Sequence, residues 1–314
     1  MKRHELRSDF LAGKLPRDDY GAALRETHRD LEEYASFLQS TDVGALIVAD
    51  GGVTLRSRIG GALFHCDFDD LRTPPMVTLA FGRYEPLEMQ TLLRLLDGAS
   101  TFVDAGANVG WYAVHAATVY PGLRVVALEP ALKTHEALDA NIALNRLSIA
   151  APRIGLSDQP GELDLHVAPT RTDAASLRPS RDYDGQATEK VTLTTLDSLR
   201  RDLDLHVDVI KADVEGAELP LLRGATTTLA QDRPAVLAEM LRLHSAAFGY
   251  HPNEILELMS GLGYACWASF QDRWRPFTVM DDETVETNFL FLHRNRHASE
   301  LAALDAGTFL SVGD

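Results

Sequence analysis

The spacing of apolar positions changes several times along the chain, and each change marks an element. Leu24, Leu31, Tyr34 and Leu38 recur at helical spacing, which predicts one amphipathic helix over Asp18 to Gln39. From Ala45 to Asp67 the period drops to two. Ala45-Leu46-Ile47-Val48, the turn Asp50-Gly51-Gly52 and Val53-Thr54-Leu55 predict a hairpin, and Ala62 to His65 a third short strand. Residues 1–80 therefore read as an N-terminal cap of helix and small sheet, and residues 81–314 as the main domain. The amphipathic helix packs either on the body or on a second copy, which would make a homodimer through the N-terminal region; the periodicity leaves both open.

From Pro86 onward, buried strands alternate with helices. Pro86 suits the first turn of a helix running to Leu96. The β-favouring run Thr101-Phe102-Val103 ends on Asp104, and a turn containing Gly106 and Gly110 opens a helix over 109–120. Arg124 to Leu128 is a strand tipped by Glu129-Pro130. The helix Leu132 to Arg146 turns Leu138 and Ile142 inward, with Asn141 and Asn145 on its other side. Pro152 to Asp158 reads as a third strand, followed by strands at Glu162–Val167 and Val191–Leu196. Between these two lies a polar stretch, Pro169 to Lys190, with neither period, expected to be a lid or a loose connection. Val207–Asp213 and Pro234–Glu239 are further buried strands ending on acids. Val214 to Gly224 is a turn and helix. Helix Asn253–Gly261, strands Tyr264–Phe270 and Asn288–His293, and a terminal helix over 298–305 follow. This alternation predicts a doubly wound α/β sheet.

Charge and cysteine content narrow the partners. A formal charge of −16 over 314 residues supplies no basic footprint for a nucleic acid. Cys66 and Cys266 are the only cysteines, too few for a disulfide scaffold, and the start of the chain lacks the apolar core of a signal peptide. No apolar run is long enough to span a bilayer. A soluble, cytoplasmic protein acting on a small molecule is expected.

The candidate chemistry gathers at strand ends. Asp104, Glu129, Asp213 and Glu239 each close a central strand, and in an open α/β sheet those ends converge on one crevice. Taken singly, each acid could equally be a helix cap or a solvated turn residue. The turn after Val103 reads D-x-G-x-N-x-G, not the G-x-G-x-x-G of dinucleotide sites. An acid there repels a pyrophosphate but suits an ammonium or a sulfonium, and S-adenosylmethionine carries both. Glu129 lies about 20 residues beyond Gly110, where this fold class places the acid that holds ribose hydroxyls. Methyl transfer to an alcohol needs a base, and His244, just past Glu239, is the first candidate, ahead of Asp213 and Glu215. A magnesium or similar ion held by Asp213, Glu239 and His244 to bind a diol is a lesser alternative; no closer ligand spacing supports it, so no metal is expected. His115 and His135 fall on helices as packing or surface residues. A nicotinamide-dependent reductase and a non-catalytic cofactor-binding or partner-binding module are the rival readings.

Over Tyr84 to His293 the chain resembles the FkbM family of S-adenosylmethionine-dependent methyltransferases. Tyr84-Glu85-Pro86, Val103 to Gly110, Leu128-Glu129-Pro130, Asn141 with Asn145, and Leu156-Ser157-Asp158 carry the resemblance. Thr195 to Leu199 and Ile210 to Glu218 complete it. Ala212 departs from it, since the family more often has a larger aliphatic residue there. The resemblance implies a Rossmann-like class I methyltransferase sheet of seven strands with the last antiparallel. It further implies that Tyr84, Glu85, Asp104, Gly106, Ala107, Asn108, Gly110, Glu129, Pro130, Leu156, Ser157 and Asp213 surround S-adenosylmethionine. Within that set, Asp104 and the glycine turn lie beside the methionine moiety, Glu129 takes the ribose, and Leu156-Ser157 border the adenine. Asp213 lies near the methionine amino group or the acceptor. The implied reaction is O-methylation of a sugar, glycoside or specialised metabolite, with S-adenosylhomocysteine as product and N-methylation as the alternative.

Overall fold

The computed structural model describes residues 3–168, 171–176 and 187–310. Two helices, α1 (Arg3–Leu11) and α2 (Arg17–Phe37), precede a three-stranded antiparallel sheet of β1 (Val43–Ala49), β2 (Gly52–Ser57) and β3 (Leu63–His65). Helix α2 leans on α1, with Phe10 stacked on Tyr20, and leaves Leu31, Tyr34 and Phe37 exposed. Of the apolar face read from the sequence, Leu38 packs against the body, while Leu24, Leu31 and Tyr34 stay exposed. An unexpected helix, α3 (Pro74–Phe81), starts on tandem prolines, which fit a first turn, and stops at Gly82. Helix α4 (Pro86–Leu96) has the predicted bounds.

Next come β4 (Thr101–Ala105), α5 (Trp111–Val119), β5 (Arg124–Leu128), α6 (Leu132–Asn145) and β6 (Ile149–Ala150). Then β7 (Ile154–Leu156), β8 (Gly161–Ala168), β9 (Arg171–Ser176) and β10 (Ala187–Thr194) form a separate sheet in the order β7-β10-β8-β9. After α7 (Leu196–Asp202) follow β11 (Val209–Ala212), α8 (Glu218–Arg223), α9 (Thr226–Gln231), β12 (Ala235–Glu239), α10 (Arg242–Ala247) and α11 (Asn253–Gly261). The chain closes with β13 (Tyr264–Phe270), β14 (Arg273–Phe277), β15 (Asn288–His293) and α12 (Ala298–Asp305).

The large sheet runs β14-β13-β15-β12-β11-β4-β5-β6. Its strands β4, β5, β6, β11 and β12 are parallel, and the last strand, β15, is antiparallel to both β12 and β13. This is the Rossmann-like α/β sheet expected, with an eighth strand added at the edge where β13 folds back on β14. Three local readings need correction. The third position of the sheet is β6, not the 152–158 segment: Pro152 cannot donate a ladder hydrogen bond, and the chain leaves the sheet there to begin the smaller one. Leu196 opens helix α7 instead of closing a strand, because the Thr195 hydroxyl accepts from the Ser198 N–H at 3.0 Å and caps the helix. Within the polar stretch 169–190, residues 171–176 and 187–190 are strand; the proposed lid otherwise lies outside the described residues.

Alternation along the strands explains the two-sided core. Phe102, Val125 and Val209 face Trp111, Ala113 and Val114 of α5, while Val103, Val126, Ile210 and Val236 face Leu219, Leu222 and Ile255 across the sheet. His115 is wholly buried against Phe64 and Trp111, and burial drives its pKa down to about 4. His135 bonds the Ala151 carbonyl at 2.7 Å. Chain order reverses between β4 and β11, so the crevice at a topological switch point opens beyond Asp104 and Ala212.

The paired asparagines of α6 fasten the N-terminal sheet to this crevice. Asn145 accepts from the Leu63 N–H at 2.8 Å and donates to the Leu63 carbonyl at 2.7 Å, completing the free edge of β3. Asn141 accepts from the His65 N–H at 3.0 Å and donates to the Val109 carbonyl, at the end of the glycine turn, at 2.8 Å. Asn141 is 2% exposed, so Asn141→Ala strands the buried Val109 carbonyl and the partly buried His65 N–H. The expected cost is about 2–3 kcal/mol, read as a lower urea midpoint; an unchanged midpoint would remove the asparagine from this role.

Candidate active site

Two turns make the crevice, and glycine lets them touch. Gly106 has φ +78°, and a Cβ on it would lie 1.7 Å from the Asp213 carbonyl oxygen, so no other residue fits without moving one turn. The Gly106 and Ala107 N–H groups donate to the Leu128 carbonyl at 2.9 and 3.0 Å, and the Asp213 N–H donates to the Ala105 carbonyl at 3.0 Å. These bonds lock the tips of β4, β5 and β11 together. The second turn, Asp213 to Ala217, is held from below by Glu218, whose carboxylate accepts from the Val214 and Gly216 N–H groups, each at 3.1 Å. Glu215 within it has φ +53°, an uncommon conformation for a residue with a side chain and one that clusters at functional turns.

The pocket between these turns is lined by the apolar side chains Leu128, Ile154, Leu156 and Leu165, with Gly155 and Pro130. Ala105, Gly106 and Asn108 at the tip of β4 also line it, and β4 lies between β5, which leads to Glu129, and β11, which leads to Asp213, Val214, Glu215 and Ala217. Glu129 accepts from the Asn108 N–H at 2.9 Å and the Ala131 N–H at 3.0 Å, and burial lifts it to about 7 against those two bonds. Asp104 accepts from the Ala113 N–H at 3.1 Å through Oδ2, which makes it the cap of α5. The helix amino terminus expected to meet a ligand is thus partly taken by the chain's own carboxylate. Its Oδ1 is buried with no partner, and burial raises the group to about 6.

Beyond Asp213 lies a second polar layer. Glu239 hydrogen-bonds Asp213, and burial followed by the Asp213 charge holds its pKa far above the usual carboxylate range, so it carries the proton of the pair. Asp213 feels the same burial, but the Lys211 ammonium 2.9 Å away and the Glu239 hydrogen bond outweigh it and keep the group ionised. Glu85, at φ +42° ahead of α4, accepts from the Tyr112 hydroxyl at 2.5 Å and from the Asn288 amide at 3.3 Å. Burial first, then the surrounding acids, lift Tyr84 well above an ordinary phenol. His244 on α10 meets Glu215 through Nδ1 at 2.9 Å, and that bond raises its pKa above 6.5. No group of three or more His, Cys, Asp or Glu side chains among the described residues is arranged to hold a metal ion.

A family model for the methyltransferase FkbM domain matches residues 104–266, from Asp104 near the end of β4 into the start of β13. The chain belongs to the FkbM methyltransferase family. Among curated relatives of this FkbM chain, methyltransferase sdnD of Sordaria araneosa is 30% identical over 152 residues, covering 39% of this chain and 59% of the relative. Methyltransferase 1 of Beauveria bassiana is 26% identical over 144 residues, covering 40% and 58%. The matched region thus spans less than two thirds of the length of either relative. A solved methyltransferase FkbM from Methylobacillus flagellatus KT aligns with a TM-score of 0.38 at 20% identity, over 62% of this chain and 43% of that one.

In the FkbM chain, the residues singled out from sequence divide into three sets. Gly106, Asn108, Glu129, Pro130, Leu156, Asp213 and Glu215 line the pocket. Tyr84, Glu85 and His244 stand in the adjoining layer, within electrostatic reach of Asp213 or Glu215. Asp104, Ala107, Gly110 and Ser157 support the walls from outside: Gly110 precedes α5, and the Ser157 N–H donates to the Thr194 carbonyl at 2.9 Å. Ile154, Leu165 and Lys211 were not foreseen as site residues. Lys211 had a signal, a lysine between Val209-Ile210 and Ala212 in a strand read as buried, where only a paired charge is tolerated. No helix among the described residues is long and apolar enough to cross a membrane.

Proposed function

We propose that this chain transfers the methyl group of S-adenosylmethionine to a hydroxyl of a small molecule, with a sugar, a glycoside or a specialised metabolite as the acceptor class. The observation that carries this reading is one pocket that joins the apolar side chains Leu128, Ile154, Leu156 and Leu165 to the carboxylates Glu129, after β5, and Asp213, after β11. Such a pocket suits an adenine on the apolar side chains, a ribose diol at Glu129 and a cationic amino acid end at Asp213. The fit is supported by Gly106, which brings no side chain into the pocket, and by the buried, unpartnered Oδ1 of Asp104 in β4. When bound, the cofactor supplies a methyl group already activated on a sulfonium.

The protein must then orient the acceptor oxygen, keep water out and take one proton. The Nδ1 bond to Glu215 fixes the His244 ring and leaves Nε2 to receive the proton as the new C–O bond forms. Glu215 stabilises the imidazolium that results, which is the same pairing that raises its pKa. Because the base works in its neutral form, turnover should rise with pH through a midpoint above 6.5. Replacing His244 with alanine should lower kcat about a hundredfold and leave S-adenosylhomocysteine affinity unchanged. A fully active variant would exclude the base. The reading as a whole is tested by calorimetry with S-adenosylhomocysteine and a labelled-methyl screen over sugars, glycosides and polyketide alcohols, with amines included. Absence of S-adenosylhomocysteine binding would sink it; transfer to amines alone would turn it to N-methylation.

A further inference from the structure

We propose that Lys211 is the positioning residue of this crevice: its ammonium fixes the charge and the aim of Asp213. This rests on reading the crevice as the cofactor site, but its central test does not need the cofactor. Lys211 sits in the middle of the sheet, on β11, in register with Asp104 of β4 and Leu237 of β12. Its residue is only 6% exposed, and a lysine that deep is retained only when its charge is matched. The match is unusually full. Nζ donates to Asp213 Oδ2 at 2.9 Å and lies 4.8 Å above the centre of the Tyr112 ring. Asp104 and Glu85 add attraction from two further sides.

The geometry gives this ammonium a task that apolar packing would not require. Asp213 lines the pocket with one side and meets Glu239 on another, so its orientation decides what a ligand encounters. The Nζ bond pins Oδ2, and the pinned carboxylate accepts the proton-bearing Glu239. An apolar side chain at 211 would leave Asp104, Glu85, Asp213 and Glu239 facing one another in a buried space with no cation between them. Protons would then be taken up, because like charges at close range cannot all stay ionised out of water. The charged groups that face the ammonium are Asp104 from β4, Glu85 ahead of α4 and Asp213 from the turn after β11; the proton-bearing Glu239 of β12 and, through His244, Glu215 reach it by way of Asp213. The Tyr84 and Tyr112 hydroxyls and the Glu215-paired His244 complete that shell.

The test compares the full-length chain with Lys211→Met and Lys211→Arg. In ligand-free wild type, carbon NMR of the aspartate carboxyls, assigned with Asp213→Asn, should show Asp213 ionised throughout pH 5–8. An Asp213 carboxyl that titrates inside that window would overturn the proposal, whether or not any variant folds. S-adenosylmethionine affinity by calorimetry from pH 6 to 8.5 should follow one profile in wild type and in Lys211→Arg, with Glu129 titrating in both. In Lys211→Met the affinity should fall about tenfold more than in wild type from the alkaline to the acid end of that range, while circular dichroism reports an unchanged fold. A Lys211→Met profile that parallels wild type would also overturn it. Failure of wild type to bind S-adenosylmethionine at any pH would refute the cofactor reading, and the carboxyl titration would then decide the role of Lys211 by itself.

Discussion

Gly106→Ala is expected to abolish cofactor binding in a chain that still folds. The added Cβ would meet the Asp213 carbonyl oxygen at 1.7 Å and the carbonyl carbon at 2.8 Å, where real contacts stay beyond 3.0 Å. The obstacle is backbone on both sides, so no side chain can rotate away. Relief requires the two turns to part by about 1.3 Å (3.0 less 1.7), which stretches the bonds tying Gly106 to Leu128 and Asp213 to Ala105. Alanine at φ +78° adds about 1–2 kcal/mol of strain, and overpacking about 1–3 kcal/mol more. A total of about 2–5 kcal/mol does not exceed the stability of a typical domain, about 5–15 kcal/mol. The pocket suffers more than the fold, because a shift of about 1 Å in a binding group costs on the order of a hundredfold. Urea titration and calorimetry with S-adenosylhomocysteine measure the two effects separately. Wild-type affinity in this variant would mean that the two turns do not form the site.

Asp232→Ala should be the most destabilising single change away from the crevice, at about 3–5 kcal/mol. Asp232 lies at the opposite, amino-terminal edge of the sheet, with its side chain 3% exposed. It accepts from Arg200 Nε at 2.6 Å, from Arg200 Nη2 at 2.5 Å and from the Val207 N–H at 3.0 Å. Asp208 beside it accepts from the Ser100 N–H at 2.8 Å, the Ser100 hydroxyl at 2.6 Å, the Thr101 N–H at 3.1 Å and Arg296 at 2.5 Å. These two acids tie the starts of β4, β11 and β12 to the segment after β15. Burial alone would raise both carboxyls, but the hydrogen bonds outweigh it and hold both below their usual range. Their folded values therefore lie below an unfolded value of about 3.9, and the sign of the pH effect follows. The stabilisation is present above that value and is lost as pH falls through the folded values. Urea midpoints between pH 2 and 6 should drop steeply for wild type and more gently for the variant. Equal acid limbs would show that the Asp232 network contributes nothing to acid stability.

The crevice was legible in part because strand tips announce themselves. A buried apolar run has to end somewhere, and Asp104, Glu129, Asp213 and Glu239 each stand where one ends, so their convergence followed from the fold class alone. Their division of labour did not. Asp104 turned out to cap α5 with one oxygen, and Glu129 to hold the N–H groups of Asn108 and Ala131. Both uses depend on how the turns after β4 and β5 fold back on their own strand tips, and the Asn108 bond also on the pairing of those two strands. Elsewhere, local signals misled where a longer-range partner decided the matter. The 152–158 run has strand-like residues, and it is a strand, but its neighbour is β10 and not β5. Residues 171–176 have no periodic pattern, yet pairing with β8 makes them a strand.

The order of residues was enough to set the alternation of strands and helices, the acidic strand tips and the glycine turn between them, because backbone period and turn chemistry are local properties. Only the folded arrangement settled which acid keeps its proton, which is paired with Lys211, and which of the marked residues line one pocket. Those outcomes depend on burial and on charges brought together from β4, β11, β12 and α4. Neither burial nor that proximity exists until the sheet has closed around them.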